Sequence, residues 1–298
     1  MPLLRSLLTS VCIVALIAMV ACDDWFDRAP EVAAPAVSLN RSAVPLGAPL
    51  ELTFRFDVLS TTPALAEDYR VLVHFLDANG ELMWTDDHDP PKPTRQWQPG
   101  QTVTYTRRVF VPMYPYVGEA AVVVGLYSAS SGDRLRLAGN HLGQHAYQAA
   151  TLRLEPQAES SFLVFEDGWY PAEFSTGDAS VEWRWTGPEA SISFRNPRED
   201  SLLYLQLDGR PDLFEAPQQV ALVINDRIIQ SFPVTTSEPT FHELALSASD
   251  LGDADKVSVR LRVDKTFVPA RLPGHDRSDQ RVLGIRVYYA FFEPRPQR

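Results

Sequence analysis

Cysteine is almost absent from this sequence, in which 298 residues include only Cys12 and Cys22. Basic residues are also few, since 27 arginines and lysines stand against 38 acidic residues and give a formal net charge of −11. A chain with this acidic balance lacks the basic surface by which proteins hold nucleic acids or anionic lipid headgroups. We therefore expect no nucleic-acid partner.

The motifs of common catalytic and metal sites are missing as well. The sequence has no HExxH, CxxC or GxSxG, and no glycine-rich phosphate loop follows a strand pattern. His141 and His145 have a spacing that suits a metal only on a helix, and Gly143 lies between them. We therefore expect no cofactor and no metal site on these histidines, and we favour a protein that is not an enzyme. Asp276 and Asp279 leave a calcium ion as an alternative.

The N-terminus has the composition of an export signal. Arg5 gives a short basic start, and the apolar stretch 11–21 is too short for a membrane span, which takes about 20 residues. The stretch ends in MVAC, residues 19–22, which resembles the lipobox of bacterial lipoproteins. That resemblance implies that the signal peptide 1–21 is removed and that Cys22 is lipidated. Several acyl chains on one residue give stable anchoring to a membrane.

Lipidation accounts for the low cysteine content. Cys12 is lost with the signal peptide, so the mature chain keeps one thiol, which carries lipid, and no disulfide can form within it. The following stretch, 22–36, is rich in alanine, proline and acid and has the composition of a lipidated tether. We expect a protein of the bacterial cell envelope, lipid-anchored to a membrane and facing the periplasm or the exterior.

The remaining chain has the pattern of a β protein. Prolines outnumber glycines by 24 to 15, and helical periodicity is hard to find. In ELTFRFDV, 51–58, apolar residues alternate with polar ones, which is typical of a strand with one buried face. Asn79-Gly80 between two such runs indicates a hairpin. Seven or eight runs of this kind predict an immunoglobulin-like sandwich over 37–156.

A second series of strands follows the irregular segment LEPQAESS, 154–161. Residues 257–263 alternate in the same way, and LVINDRIIQSF has the pattern of a hairpin that turns at Asn225-Asp226. This hairpin resembles one found in galactose-binding-like and carbohydrate-binding jelly rolls, which implies a jelly-roll-like sandwich over 160–295 and a carbohydrate ligand. The predicted fold class is therefore all-β, with two tandem β-sandwich domains behind a lipoprotein signal peptide.

Aromatic residues in loops are the candidate ligand-binding residues. Trp169 and Tyr170 lie in GWYPAE with Glu173 beside them, and aromatic rings of this kind stack on sugar rings. Trp183 and Trp185 share one strand parity and are expected to fill the core. The long proline-rich connection DHDPPKPTRQW adds His88 and Trp97, because ordered loops of this length often carry function.

Three functions remain open. The first is a lipid-anchored, non-catalytic envelope protein that binds polysaccharide through a β-sandwich, which predicts an aromatic platform near GWYPAE. The second is an envelope scaffold that binds another protein through an apolar surface patch. The third is a carbohydrate-active enzyme, which needs two carboxylates across a cleft, one of them with a raised pKa. Its candidate acids are Asp86 with Asp87, Glu166 with Asp167, and Asp276 with Asp279.

Overall fold

The computed structural model describes residues 29–177, 181–274 and 277–295. The predicted signal peptide, Cys22, the first part of the predicted tether and Asp276 lie outside the described residues. Within these ranges, the chain has no helix that is both long enough and apolar enough to cross a membrane. Its elements are strands, one short helix α1 (Ala248–Leu251) and a few 3₁₀ turns.

Most of the described chain is in strands, which confirms the predicted all-β class. The strands run in chain order as follows: β1 (Ala33–Leu39), β2 (Ala43–Pro45), β3 (Pro49–Val58), β4 (Tyr69–Leu76), β5 (Leu82–Thr85), β6 (Thr102–Phe110), β7 (Gly118–Ser128), β8 (Asn140–Gly143), β9 (Ala146–Glu155), β10 (Val164–Phe165), β11 (Glu173–Phe174), β12 (Glu182–Trp185), β13 (Glu189–Arg195), β14 (Ser201–Asp208), β15 (Gln218–Ile224), β16 (Arg227–Val234), β17 (Thr240–Leu246), β18 (Lys256–Val263) and β19 (Arg286–Pro294).

The chain divides into two compact units. The first takes in the described residues up to Ala43 together with Glu51–Val109 and Tyr114–Leu154. The second begins in sequence at Glu155, but it also includes two short segments from the N-terminal half of the chain, Val44–Leu50 and Phe110–Met113.

The first unit is built on two sheets. One has the order β1-β3-β6, and the other has the order β2-β9-β7-β4-β5 with β8 paired to β9. The alternation in β3 places Leu52, Phe54 and Phe56 in the core, as the sequence pattern predicts. Pairing of Ala33 with Val58 shows that residues 33–36 of the predicted tether are part of a sheet.

The second unit is a sandwich of two five-stranded sheets. Their orders are β10-β13-β18-β15-β16 and β11-β12-β19-β14-β17, with antiparallel pairing in each ladder. Both sheets contribute to one apolar core, in which Ile192, Leu222 and Val259 from the first sheet join Leu205 and Phe292 from the second. The two sheets therefore pack face to face around that core.

The predicted turns form where the sequence indicates them. Gly80 has φ +80° and its N–H donates to the Asp77 carbonyl at 3.0 Å, which closes the β4–β5 hairpin. Asn225 and Asp226 both have positive φ, 50° and 60°, and form the two-residue turn between β15 and β16. This conformation matches the right-handed twist of paired strands, so both hairpin predictions are confirmed.

Candidate functional site

His88 and Trp97 lie in the interior of the first unit. His88 is 6% exposed; its Nδ1 lies 2.7 Å from the Asp86 carbonyl and its Nε2 lies 2.8 Å from the Tyr105 hydroxyl. Burial lowers the pKa of His88. Trp97 is also 6% exposed and donates its indole N–H to the Lys92 carbonyl at 2.9 Å. These contacts favour a core role for both residues over the ligand-binding role that the sequence suggested.

Trp169 is half-buried in the second unit and is part of its packing. Its indole N–H donates to the Ser191 carbonyl at 2.7 Å, and its ring contacts the apolar core and the edge of Phe165. The preceding Gly168 has φ +85°, and a Cβ there would lie 2.0 Å from the Glu189 carbonyl oxygen. Only glycine permits this approach, so the backbone fixes Trp169 inward and not as part of an open platform.

Tyr170 and Glu173 are brought together by Arg281. The Tyr170 hydroxyl donates to the Val282 carbonyl at 3.2 Å and accepts from the Val282 N–H at 3.1 Å. Arg281 lies over the Tyr170 ring at 5.4 Å and donates to the carboxylates of Glu173 and Asp279. These bonds lower the pKa of Asp279. The group fastens the loop before β19 to β11, which is a structural role for both predicted residues.

That loop is more buried than its polar sequence indicates. Phe267 packs with Trp185 and Leu283 in a second apolar cluster, and Leu272 lies against it. Trp185 is 8% exposed, which bears out its expected place in the interior. Its strand neighbour on the same face, Trp183, is only half-buried and takes part in a pocket.

A cavity with aromatic walls lies in the second unit beside β12 and β19 and has a volume of about 500 Å³. Most of the large side chains that line it are aromatic, and few are charged. The aromatic ones are Phe162, Phe165, Trp183, Tyr288 and Tyr289, and the polar ones include Gln157, Glu182 and Arg184. Gly47, Pro112 and Met113 from the two N-terminal segments of this unit also line it. We call this cavity the aromatic pocket.

A β-bulge in β19 brings the rings of Tyr288 and Tyr289 to the aromatic pocket. In the pairing of β14 with β19, Leu207 is opposite Val287 but Gln206 is opposite Tyr289, so Tyr288 is an extra residue. Such a bulge interrupts the alternation of faces, so that consecutive residues Tyr288 and Tyr289 both line the pocket. Tyr289 stacks on Phe110 with ring centroids 5.0 Å apart and an interplanar angle of 4°.

Arg286 supports the aromatic wall from behind. Its guanidinium lies over the rings of Trp183, Trp185 and Tyr288, at 5.4, 5.5 and 5.6 Å. Two nitrogens of Arg286 donate to the carboxylate of Asp208 at 2.8 and 2.6 Å, and the Tyr288 hydroxyl donates to the same carboxylate at 2.9 Å. Arg286 is thereby held in one position, which orders the rings packed on it.

Asp208 is the buried acid of this network. It is 0% exposed, and burial raises the pKa of its carboxyl although Arg286 and Tyr288 act in the opposite direction. A raised pKa was expected of a catalytic acid, but Asp208 was not among the candidates and its oxygens are already bound. Its role in the geometry is to hold Arg286.

Arg184 is the cation of the aromatic pocket. Its guanidinium lies 5.3 Å from the centre of the Phe165 ring. Its ion pair with Glu182 has a nitrogen–oxygen distance of 3.9 Å, which is too long for a hydrogen bond. Within the described part of the chain, the buried indole nitrogen of Trp183 also has no hydrogen-bond partner. Donor groups of the pocket are therefore not all used within the protein.

Three of the other acids proposed for catalysis, Asp86, Asp87 and Glu166, are bound by neighbouring groups. Asp86 accepts two hydrogen bonds from Arg107, at 2.8 and 2.7 Å. Asp87 accepts from the Val73 N–H at 2.9 Å, and Glu166 accepts from Lys256 and Ser193. These contacts identify the acids as parts of local ion pairs and hydrogen bonds.

A small polar pocket of about 160 Å³ in the first unit contains His141 and His145. The two residues lie at the β8–β9 turn, not on a helix, and the His145 N–H donates to Nε2 of His141 at 3.1 Å. Nδ1 of His145 lies 2.9 Å from the Arg134 carbonyl. Among the described residues, no group of three or more metal-ligating side chains is close enough to hold a metal ion.

Comparison with known proteins gives distant likenesses only. No protein-family model matches the chain, and no curated protein sequence matches it. A β-glucuronidase of Bacteroides uniformis is 11% identical, with a TM-score of 0.31 over 88% of this chain and 30% of its own. SGBP-B of the mixed-linkage glucan utilization locus of Bacteroides ovatus, solved with a mixed-linkage heptasaccharide, is 8% identical, with a TM-score of 0.24 over 85% of this chain and 51% of its own.

The ectodomain of ANX2 from Arabidopsis thaliana is 12% identical, with a TM-score of 0.24 over 89% of this chain and 88% of its own. The chain thus spans less than a third of the glucuronidase and about half of SGBP-B. At these identities and TM-scores the likenesses carry no argument about function, which has to rest on the site itself.

Sequence reasoning missed most of the aromatic pocket. The sequence pattern predicts that Trp183, one of two alternating tryptophans, lies in the core. The other aromatic residues that line the pocket belong to no recognisable motif. The available signal was the unbroken apolar run in RVYYAFFEP, which does not alternate as a half-buried strand should. The loss of alternation in this segment coincides with the bulge at Tyr288.

Proposed function

We propose that the protein is a lipid-anchored, non-catalytic protein of the bacterial envelope that binds polysaccharide in the aromatic pocket. The observation that carries this proposal is a cavity whose wall combines aromatic rings with a few hydrogen-bonding side chains. Aromatic faces stack on the apolar faces of sugar rings, and the polar groups at the edge bind hydroxyls. A volume of about 500 Å³ is within the usual range of ligand pockets.

The ordered wall supports binding in a second way. Trp183 and Tyr288 rest on Arg286, which Asp208 holds, and Tyr289 rests on Phe110. Rings that are already fixed lose little conformational entropy when a ligand covers them. A cavity with fixed aromatic rings suits the repeated apolar ring faces of a glycan chain.

The arrangement of acids supports a binding role over a catalytic one. Among the described residues that line the aromatic pocket, Glu182 is the one carboxylate. Glycoside hydrolysis ordinarily takes two carboxyl groups on opposite sides of the scissile bond, about 5–10 Å apart. In this proposal the pocket holds the glycan without cleaving it.

The location is part of the proposal and depends on the N-terminal sequence. Lipid on Cys22, after removal of residues 1–21, anchors the chain to the membrane and leaves an immunoglobulin-like domain, 37–156, and a jelly-roll-like domain, 160–295, in the aqueous space. Polysaccharide of the envelope or the exterior is then within reach of the pocket.

A glycan array probed with the mature chain and with Trp183→Ala tests the binding function. We expect Trp183→Ala to weaken binding by about tenfold or more, because loss of one stacking ring from a buried contact costs about 1.4 kcal/mol or more. Trp84→Ala is the matched control, since Trp84 is a half-buried tryptophan of the first unit that stacks on Phe75. Thermal unfolding of each variant checks that it is folded.

Two results would contradict the proposal. One is failure of the wild-type chain to bind any glycan on the array. The other is equal loss of binding in Trp183→Ala and Trp84→Ala, which would indicate a general effect on the fold. Hydrolysis of a bound glycan would contradict the non-catalytic part alone.

A further inference from the structure

We infer that the glycan held in the aromatic pocket is an acidic one, and that Arg184 binds the carboxylate of a uronic acid residue. This inference rests on the proposed function, because it assigns the ligand class of the same site. It starts from the N–H groups of the Arg184 side chain, which form no short ion pair within the described residues.

Comparison with neighbouring arginines shows how loosely Arg184 is paired. In the same unit, Arg286 lies 2.6 Å from a carboxylate oxygen of Asp208, and Arg281 lies 2.7 Å from one of Asp279. Those distances are charge-assisted hydrogen bonds. Arg184 and Glu182 are 3.9 Å apart, which is too far for such a hydrogen bond. Both groups are partly exposed, so the attraction between them is weak.

The surroundings of Arg184 leave its hydrogen-bonding edge available. Its guanidinium lies over Phe165, a ring that is 38% exposed at the mouth of the pocket. The N–H groups of a guanidinium lie in its plane and can meet a planar anion where no carboxylate of the protein binds them closely. A carboxylate matches this fork with two parallel hydrogen bonds, which a single hydroxyl cannot do.

A uronic acid residue fits both parts of the pocket at once. Its pyranose ring has an apolar face that stacks on Trp183 or the tyrosines, and its carboxylate projects from the ring edge in the ring's own plane. Arg184 is the one cation among the described lining residues, so it is the group that meets that carboxylate. Glu182, 3.9 Å away, opposes the binding of an anion by charge repulsion.

The net negative charge of the chain does not oppose this assignment strongly. At about 0.15 M salt, exposed charges are screened over roughly 8 Å, so the charges that matter are those at the pocket itself. Arg184 lies in direct reach of the ligand, whereas most acids of the second unit are held in their own ion pairs, such as Glu166 with Lys256.

Matched acidic and neutral glycans provide the test. Affinities of the mature chain are measured by calorimetry for polygalacturonate, alginate and hyaluronan, and for the carboxyl-reduced form of each. We expect at least one acidic polymer to bind about tenfold or more tightly than its reduced form. Arg184→Gln should bring that ratio to within about twofold, and Glu182→Gln should increase it.

Arg262→Gln is the control for net charge. Arg262 is an exposed arginine of β18 that pairs with Glu189 and does not line the aromatic pocket, so its removal should leave the ratio as in the wild type. Thermal unfolding verifies the fold of each variant. Arg184→Lys keeps the positive charge but removes the planar guanidinium, so its ratio of affinities shows whether charge alone is enough.

The outcomes separate this inference from the function on which it rests. Binding of neutral glycans with no preference for the acidic forms would overturn the uronic acid assignment and leave polysaccharide binding intact. A preference that Arg184→Gln does not remove, or tighter binding of sulfated dextran than of any carboxylated polymer, would also overturn it. Failure to bind any polymer would overturn both proposals.

Discussion

His88 and Arg286 are polar side chains in the interior that are bound by several neighbouring groups. Two arrangements illustrate this at the residue scale. In the first unit His88 lies between the Asp86 carbonyl and the Tyr105 hydroxyl, and in the second Arg286 lies between Asp208 and three aromatic rings. Burying such groups costs little only when every polar atom is bound, so each network fixes the rotamers of the residues around it.

The burial of His88 makes stability depend on pH. Burial lowers the pKa of His88 below its unfolded value of 6.5, so the unfolded chain binds the proton first as the pH falls. We expect the free energy of unfolding to decrease as the pH falls below about 6.5, by about 1.4 kcal/mol per unit of pKa difference between the folded and unfolded states. His74 and His242, whose pKa values burial also lowers, act in the same direction.

Urea unfolding at pH 7.5 and pH 5 measures this effect. His88→Gln should reduce the loss of stability between the two pH values, although its stability at pH 7.5 is lower because the buried hydrogen bonds change. An equal loss in the variant and the wild type would show that His88 does not contribute.

At the scale of elements, strands and turns follow from local pattern. The alternation in β3 and β18 and the turns at Asn79-Gly80 and Asn225-Asp226 are readable from the sequence because the side-chain period and the preference for positive φ are properties of the chain itself. Such signals need no knowledge of what packs against the strand.

The aromatic pocket was not predictable in this way. The parity of Trp183 and Trp185 shows that they share a face of β12, but it does not show what covers that face. Phe267 and Leu283 cover Trp185, whereas Trp183 is left at a cavity. The bulge at Tyr288 depends on pairing with β14, a strand about 80 residues earlier. The position of Arg184 at the pocket is shown only by its contact with Phe165, which is distant in sequence.

The close approach at Gly168 gives a prediction for an element. A Cβ at this position would lie 2.0 Å from a backbone oxygen of β13, and φ is +85°. We expect Gly168→Ala to lower the free energy of unfolding by about 3 kcal/mol or more, from steric overlap and backbone strain together.

Gly80→Ala is its control, because φ is nearly the same at +80° but no atom lies within 4 Å of the added Cβ. For Gly80→Ala we expect the free energy of unfolding to fall only by the cost of a positive φ at alanine, about 1 kcal/mol. Denaturant unfolding compares the two. Equal losses would mean that the backbone at 168 moves to accommodate the methyl group.

At the scale of the whole molecule, two compact units follow a stretch that carries the single thiol of the proposed mature chain. The proposed anchoring through that thiol would confine the aromatic pocket to the neighbourhood of a membrane. Confinement raises the effective concentration of any ligand attached to the same envelope, so modest affinity for each sugar suffices.

Mass spectrometry of the N-terminal peptide tests the anchor. We expect the peptide to begin at Cys22 and to carry the added mass of acyl chains, and Cys22→Ser to abolish incorporation of a labelled fatty acid. A wild-type peptide with an unmodified thiol, or one that still includes residues 1–21, would exclude the lipoprotein proposal. The glycan-binding proposals would be untouched by that result.

The membership of Val44–Leu50 and Phe110–Met113 in the second unit limits how this protein can be divided. A fragment that starts at Glu155 has every strand from β10 onward but lacks Gly47, Pro112 and Met113, and with them part of the cavity lining. The C-terminal half is therefore not a portable module. Grafting of residues 155–295 alone would transfer an incomplete cavity.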